Sequence, residues 1–183
     1  MSDEFIIRHC SPTLAGMKTG SLFNCPFQDK NELLHSIRSL NQRLVPRGVR
    51  VIPMKLLDQK VLLYIYRPSR LESDFAEAEV AKLLLEYGYS VEKPGKCVVQ
   101  LIRKMCNSEE FPHEIGLFLS YPPEDVCAFI RNPEEGCKCT GCWKVYGDER
   151  KAKEQFEKYR KCTSTYCEQA AKGRSLEQLT VIG

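Results

Sequence analysis

Ten cysteines in 183 residues carry most of the chemistry this chain can offer, and three stretches concentrate it. The first is His9-Cys10-Ser11-Pro12-Thr13-Leu14-Ala15-Gly16-Met17-Lys18. Pro12 suits a first helical turn, which puts Cys10 at or just before a helix N-terminus. Unpaired backbone N–H groups and the helix dipole there favour a thiolate. Lys18 adds positive charge, and Gly16 and Gly20 allow close approach of a backbone or a ligand. The alternative is a small cysteine buried under a helix end. The second stretch, Phe111-Pro112-His113-Glu114-Ile115-Gly116-Leu117-Phe118-Leu119, mounts a histidine at the mouth of an apolar strand. A helix-end cysteine and a strand-end histidine can act as nucleophile and base on an acyl or thiol substrate. Asp125 or Asn132 would orient the imidazole, and strand alternation sends Glu114 to the opposite face. The alternative is a histidine that hydrogen-bonds within the fold.

The third stretch is Gly136-Cys137-Lys138-Cys139-Thr140-Gly141-Cys142-Trp143. Two cysteines separated by two residues, one of them glycine, have the geometry of a zinc knuckle and equally of a redox dithiol. A closed metal site needs further donors. Cys162 and Cys167 lie five apart on the last helix, about 140° around its axis, so at most one of them joins. The expected metal set is Cys137, Cys139, Cys142 and Cys162, holding zinc or iron. Arg67 ends an apolar strand after Tyr64-Ile65-Tyr66, where it either clamps a carboxylate or phosphate or reaches solvent. With Lys18 and Glu114 it completes the candidate ligand-binding residues. Cys97 and Cys127 sit in apolar runs and read as core, and Cys106 as incidental.

Positioning these groups requires the elements around them. Asp29-Lys30-Asn31-Glu32 is a capping box before Leu33, Leu34, Ile37, Leu40 and Leu44, a helix stopped at Pro46 and Gly48. Residues 49–57 and 60–67, joined by Asp58-Gln59, read as a β-hairpin, with Pro53 at an edge or bulge. Asp74-x-x-Glu77 is a second capping box before a helix that ends at Gly88, and Pro94-Gly95 opens another. Residues 114–119 are a buried strand or a helix piece, and a short helix follows from Tyr121 to Ile130. A strand at 143–146 and the Gly147-Asp148 turn lead into a last helix ending near Gly173. The fold class is α+β: amphipathic helices on a small sheet that includes the hairpin, one domain over 1–173, with 174–183 as a loose tail.

Composition narrows the function classes. Hydrophobic residues make 43% and charged residues 28% of the chain, a globular balance. The net charge of +3 is too near neutral to argue for nucleic acid. The longest apolar run, 61–66, is far short of a membrane span. The first residues show neither a basic nor an apolar leader segment, so a cytoplasmic protein is expected, with reduced thiols and a small molecule or a protein as partner.

Two resemblances follow from these residues. Cys10 before Pro12-Thr13, with His113 far downstream, is similar to the papain-like arrangement of thiol enzymes, which implies an acyl-transfer site. More of the chain is engaged by the joint pattern of residues 9–18, 111–122 and 141–148, which resembles an uncharacterised family of small cytoplasmic proteins from anaerobic bacteria, a domain of unknown function. That resemblance implies no activity, cofactor or catalytic residue, and leans toward iron or redox physiology. Three readings stay open: a Cys10–His113 enzyme, a metal- or redox-linked binding protein, and a non-catalytic interaction module.

Overall fold

A computed structural model describes residues 1–108 and 110–183. They form two compact units, one of Met1–Leu71 with Cys162–Gly183 and one of Glu72–Lys161, where the sequence reads as a single domain. The α+β class holds, with helices and small antiparallel sheets. No helix among the described residues is long and apolar enough to cross a membrane.

The first unit opens with α1, Asp3–Leu14, capped by Ser2, whose side chain accepts from the Phe5 N–H. Asp3 and Glu4 in its first turn suit the positive end of the helix dipole. Cys10 and Pro12 therefore lie well inside α1, not at its start. Pro12 is tolerated near the C-terminal end, but it does not nucleate the helix. After the turn at Gly16 comes β1, Gly20–Pro26, a strand that the residue pattern did not announce. Asp29 caps α2, Lys30–Leu44, by accepting from the Glu32 N–H at 2.8 Å. The hairpin is β2, Arg50–Leu57, and β3, Lys60–Tyr66. The sheet order is β1-β3-β2, all antiparallel. Pro53 lies on an edge strand, where the β2 register shifts between Pro53 and Lys55, as a residue without an N–H donor requires.

The core of this unit joins Ile6, Ile7 and Leu14 of α1, Leu33, Ile37, Leu40 and Leu44 of α2, and the inward face of the sheet (Val51, Val61, Leu63, Ile65). Leu176 and Leu179 belong to the same core. They sit on a last short helix at Leu176–Leu179, closed by a Ser175–Gln178 capping box. The segment expected as a loose tail is thus packed, because its two leucines bury and its polar groups find partners.

In the second unit, Pro68–Ala76 forms α3, which begins in the first unit, and Ala78–Glu86 forms α4. Asp74 lies inside α3 and Glu77 is the α4 N-cap, so the second capping box does not form as expected. Pro94 starts α5, Pro94–Asn107, whose Cys97, Val98, Leu101 and Met105 are buried. The apolar run after His113 becomes one helical turn, α6, Ile115–Phe118, followed by α7, Pro123–Arg131. It is too short and too enclosed to pair as a strand. A two-stranded hairpin, β4 at Cys139–Thr140 and β5 at Lys144–Val145, precedes α8, Glu149–Ala171. Asp148 caps α8 by accepting from the Lys151 N–H at 3.0 Å. The helix Leu176–Leu179 completes the count as α9.

Candidate functional site

Cys10 has no accessible surface. It sits one turn from the end of α1 among Ser11, Pro12 and Thr13, all buried. Burial pushes its thiol well above the ordinary range; the Lys18 charge and a hydrogen bond with Ser21 oppose this and do not overcome it. The expected helix-end thiolate is therefore overturned: the sulfur lies within the helix, away from its exposed N–H groups, and desolvation favours the neutral thiol. His9 next to it is exposed. Its ring stacks on Phe23 at 4.9 Å and tilts against Phe5 at 4.5 Å, and burial then the Arg8 charge lower its pKa.

The same corner holds Arg67, buried to 2% exposure at the end of β3. Its guanidinium meets no carboxylate among the described residues. Nε donates to the Thr13 carbonyl at 2.6 Å, and Nη2 donates to the carbonyls of Leu14 at 2.6 Å and Val181 at 2.7 Å. The Leu14 carbonyl also accepts from the Val181 N–H at 3.0 Å. Arg67 thus caps the C-terminal end of α1, where the dipole favours a cation, and ties the segment after α9 to it. Gly16 forms the turn that ends α1 beside Arg67. It adopts φ +71°, a conformation that other residues rarely take, while a Cβ there would be in ordinary contact, 3.8 Å from Nε of Arg67. Arg67 is a fold-closing residue whose donors are committed to backbone, not a clamp open to ligand or a side chain in solvent.

In the second unit, His113 is exposed just before α6. Its ring neighbours are Phe111 at 5.7 Å and Phe129 at 5.0 Å, so it is mounted among aromatics on a turn, not on a strand. Glu114 beside it is buried. It accepts from the Tyr89 hydroxyl at 2.9 Å and from Lys104 Nζ at 2.8 Å. Lys104 also donates to the Tyr87 carbonyl at 2.7 Å and lies 4.3 Å over the Tyr89 ring. Burial, then the Glu114 carboxylate, push the Tyr89 hydroxyl up. Glu114 is thus engaged in an internal pair and is no free ligand group.

Asp125, expected to orient His113, has another task. Its Oδ2 accepts from Trp143 Nε1 at 2.7 Å, and its Oδ1 accepts from the backbone N–H groups of Tyr146 and Gly147, each at 2.7 Å. The residue is buried to 3% exposure, and these three donors compensate its desolvation. The carboxylate fastens the β4–β5 hairpin to α7. Asn132, the other orienting candidate, is exposed and donates to Glu135 at 3.1 Å. Trp143 stacks on Tyr121 at 4.9 Å and meets Phe156 edge-on at 4.5 Å. Sequence reasoning missed this anchor; an aspartate at a helix start followed by a Trp-x-x-Tyr-Gly run is the only signal for it.

The hairpin displays Cys142 exposed and Cys137 and Cys139 half-buried. The Cys137 thiol lies 3.5 Å from the Cys139 carbonyl and 3.8 Å from the Thr140 hydroxyl. Cys162 is half-buried on α8, with burial raising its pKa. Among the described residues no three His, Cys, Asp or Glu side chains are grouped to hold a metal ion, so the expected set Cys137, Cys139, Cys142 and Cys162 is not assembled. Lys18 is half-buried near Cys10, whose thiol feels its charge. Cys97 is buried as expected, whereas Cys127 is partly exposed.

A family model described as a protein of unknown function (DUF3793) matches residues 6–180. The chain belongs to this family. The DUF3793 match spans both units, with Cys10, Arg67, Asp125 and the Cys137–Cys142 hairpin all inside it. No curated protein and no solved structure matches the chain.

Proposed function

We propose that this protein works by binding, as a non-catalytic interaction module, and not through a Cys10–His113 centre. The observation that carries this reading is the sealed, neutral thiol of Cys10 inside α1. Arg67, Glu114 and Asp125 agree with it, because each spends its polar atoms on the fold. Alkylation of the native protein by iodoacetamide at pH 7.5, with each modified cysteine identified by mass spectrometry, tests it. Cys142 and Cys106, both exposed, are expected to react, and Cys10 only after denaturation. Fast labelling of native Cys10, slowed by His113→Ala, would restore the enzyme reading.

A second reading keeps the hairpin thiols as a metal- or redox-linked site, on the observation that Cys137, Cys139 and Cys142 all reach toward solvent within six positions. Its test is metal content and thiol titration after purification without oxygen. Less than about 0.1 equivalent of zinc or iron, with three titratable hairpin thiols unchanged by mild oxidation, removes it.

A further inference from the structure

The three-stranded sheet of the first unit has β1 at one edge and β2 at the other, and the two edges differ. In an antiparallel ladder, successive residues point their N–H and C=O alternately toward the neighbouring strand and away from it. Two bonds bracket the β1–β3 ladder: the Arg67 N–H donates to the Thr19 carbonyl at 2.9 Å, and the Phe27 N–H to the Gln59 carbonyl at 3.0 Å. The odd-numbered residues of β1 therefore face β3, and Gly20, Leu22, Asn24 and Pro26 face away. The even-numbered residues of β3 face β2, where their partners include Arg50, Ile52, Lys55 and Leu57. Val51 and Pro53 of β2 thus point outward.

The β2 edge is closed at both of these positions. The Asn41 side chain acts as a short strand: its Oδ1 accepts from the Val51 N–H at 2.9 Å, and its Nδ2 donates to the Val51 carbonyl at 2.7 Å. Pro53 has no N–H to offer, and the register breaks between Pro53 and Lys55. Such devices keep an edge from pairing. On β1, Pro26 lacks an N–H and its carbonyl lies 3.5 Å from the Cys25 thiol, which closes only the last position, and Gly20 is buried. Between them Leu22 is half-buried and Asn24 exposed. Their outward N–H and C=O groups meet no partner among the described residues. From Gly20 to Phe27 the chain carries no charge that would repel an approaching strand.

We propose that β1 is a dimerisation edge. The β1 strand of a second copy of this chain lies antiparallel beside it, and Leu22 and Asn24 of each copy donate to and accept from the backbone of the other. Two observations select a second copy over a foreign strand. The open stretch is uncharged, so it offers no charge for a foreign strand to match, and two copies face each other without repulsion. A lone foreign strand would cover β1 and leave its own far side open. A second copy joins two three-stranded sheets into one whose outer strands are both β2, the edge already closed by Asn41 and Pro53, so the assembly ends at two. The inference goes beyond the binding reading and does not depend on the state of Cys10.

The test is sedimentation velocity of the full chain between about 2 and 200 µM, with backbone hydrogen exchange read residue by residue at both ends of that range. The expected result is a monomer that passes to a dimer, with exchange at the Leu22 and Asn24 amides slowed at least about tenfold at the higher concentration. Ser21, Phe23 and Cys25, paired with β3, should exchange slowly throughout. Asn24→Pro removes one outward N–H and no bond to β3, and Leu22→Lys places like charges on both sides of the contact. Each should weaken the dimer by at least about tenfold, with the circular dichroism spectrum and slow Phe23 exchange retained. A chain still monomeric at about 200 µM overturns the proposal. So does a dimer whose Leu22 and Asn24 amides exchange freely, or one that a folded variant leaves within about twofold of the parent. Slow exchange of these amides in the monomer overturns it too, because the edge would then be closed within the chain. A monomer whose Leu22 amide is slowed by an added peptide of alternating valine and threonine gives the edge to foreign strands instead. No dimer with native Cys10 unlabelled leaves the binding reading in place; fast Cys10 labelling with the dimer intact is the reverse outcome.

Discussion

Arg67 in the first unit and Asp125 in the second are buried charges held by hydrogen bonds largely to backbone, but with opposite sign and over different spans of sequence. In the first unit, the Arg67 cation gathers carbonyls from residues 53, 54 and 114 positions away. In the second, the Asp125 anion gathers an indole N–H and two backbone N–H groups from 18 to 22 positions away. A cation suits the C-terminal end of α1, where carbonyls lack partners. An anion suits a tight hairpin, where N–H groups point inward. Residue type alone marks both as candidate ligand-binding or catalytic groups. What decides is whether a polar atom is left for a guest: backbone carbonyls occupy Arg67, and two backbone N–H groups with the Trp143 indole occupy Asp125.

The comparison breaks most sharply at Arg67. Arg67→Met leaves several buried carbonyls short of a donor and should cost about 3–5 kcal/mol in urea unfolding. Hydrogen exchange should rise across residues 3–14 and 176–181. A loss below about 1 kcal/mol would mean that water replaces the guanidinium and that the cation is dispensable. Asp125→Ala should cost about 2–4 kcal/mol, and exchange should rise locally at Tyr146 and Gly147. Trp143 emission should change as its Nε1–H loses its acceptor. If the Asp125 variant instead loosened residues 3–14, the two charges would not belong to separate structural units.

A smaller effect is expected at Gly141. A Cβ there would stand 2.3 Å from the Phe156 ring, so Gly141→Ala should cost about 1–3 kcal/mol by overpacking, read as a lower melting temperature with an altered Trp143 signal. The smallest effect is the acid response of the first unit. Arg43, bonded to both Asp3 and Glu177, holds the Glu177 carboxyl down from 4.5 to about 2. A carboxyl lowered on folding contributes fully above its unfolded value, and the contribution disappears as pH falls through the folded one. Between about pH 4.5 and 2 the α9 segment should loosen by about 1 kcal/mol, a value reduced because the pair is partly exposed. Glu177→Gln should remove that pH dependence in exchange measurements of residues 176–181.

Much of the fold was readable where local chemistry decides it. Asp29 capped α2, Pro53 fell at the β2 irregularity, Pro94 opened α5 and Asp148 opened α8, because each acts through its own neighbours. The class, α+β, followed from those elements. One failure was local: Pro12 reads as a helix start, but Ser2, which accepts from the Phe5 N–H, is the cap that begins α1. The others needed long-range knowledge. Residues 174–183 are polar enough to look loose, yet Leu176 and Leu179 find a core made by residues far upstream. The candidate site was misread for the same reason. Cys10, Glu114 and Asp125 have the right atoms for chemistry, but only their burial and partners reveal that those atoms are occupied.

The clasp between Arg67, Leu14 and Val181 also has a bearing on biosynthesis. Synthesis runs from N- to C-terminus, so α1 and its sheet emerge long before the α9 leucines that complete their core. The middle portion, Glu72–Lys161, has all of its residues while the flanking portion still waits for Cys162–Gly183. The middle portion can therefore finish folding before the flanking one, and loss of Leu176–Gly183 should harm α1 most.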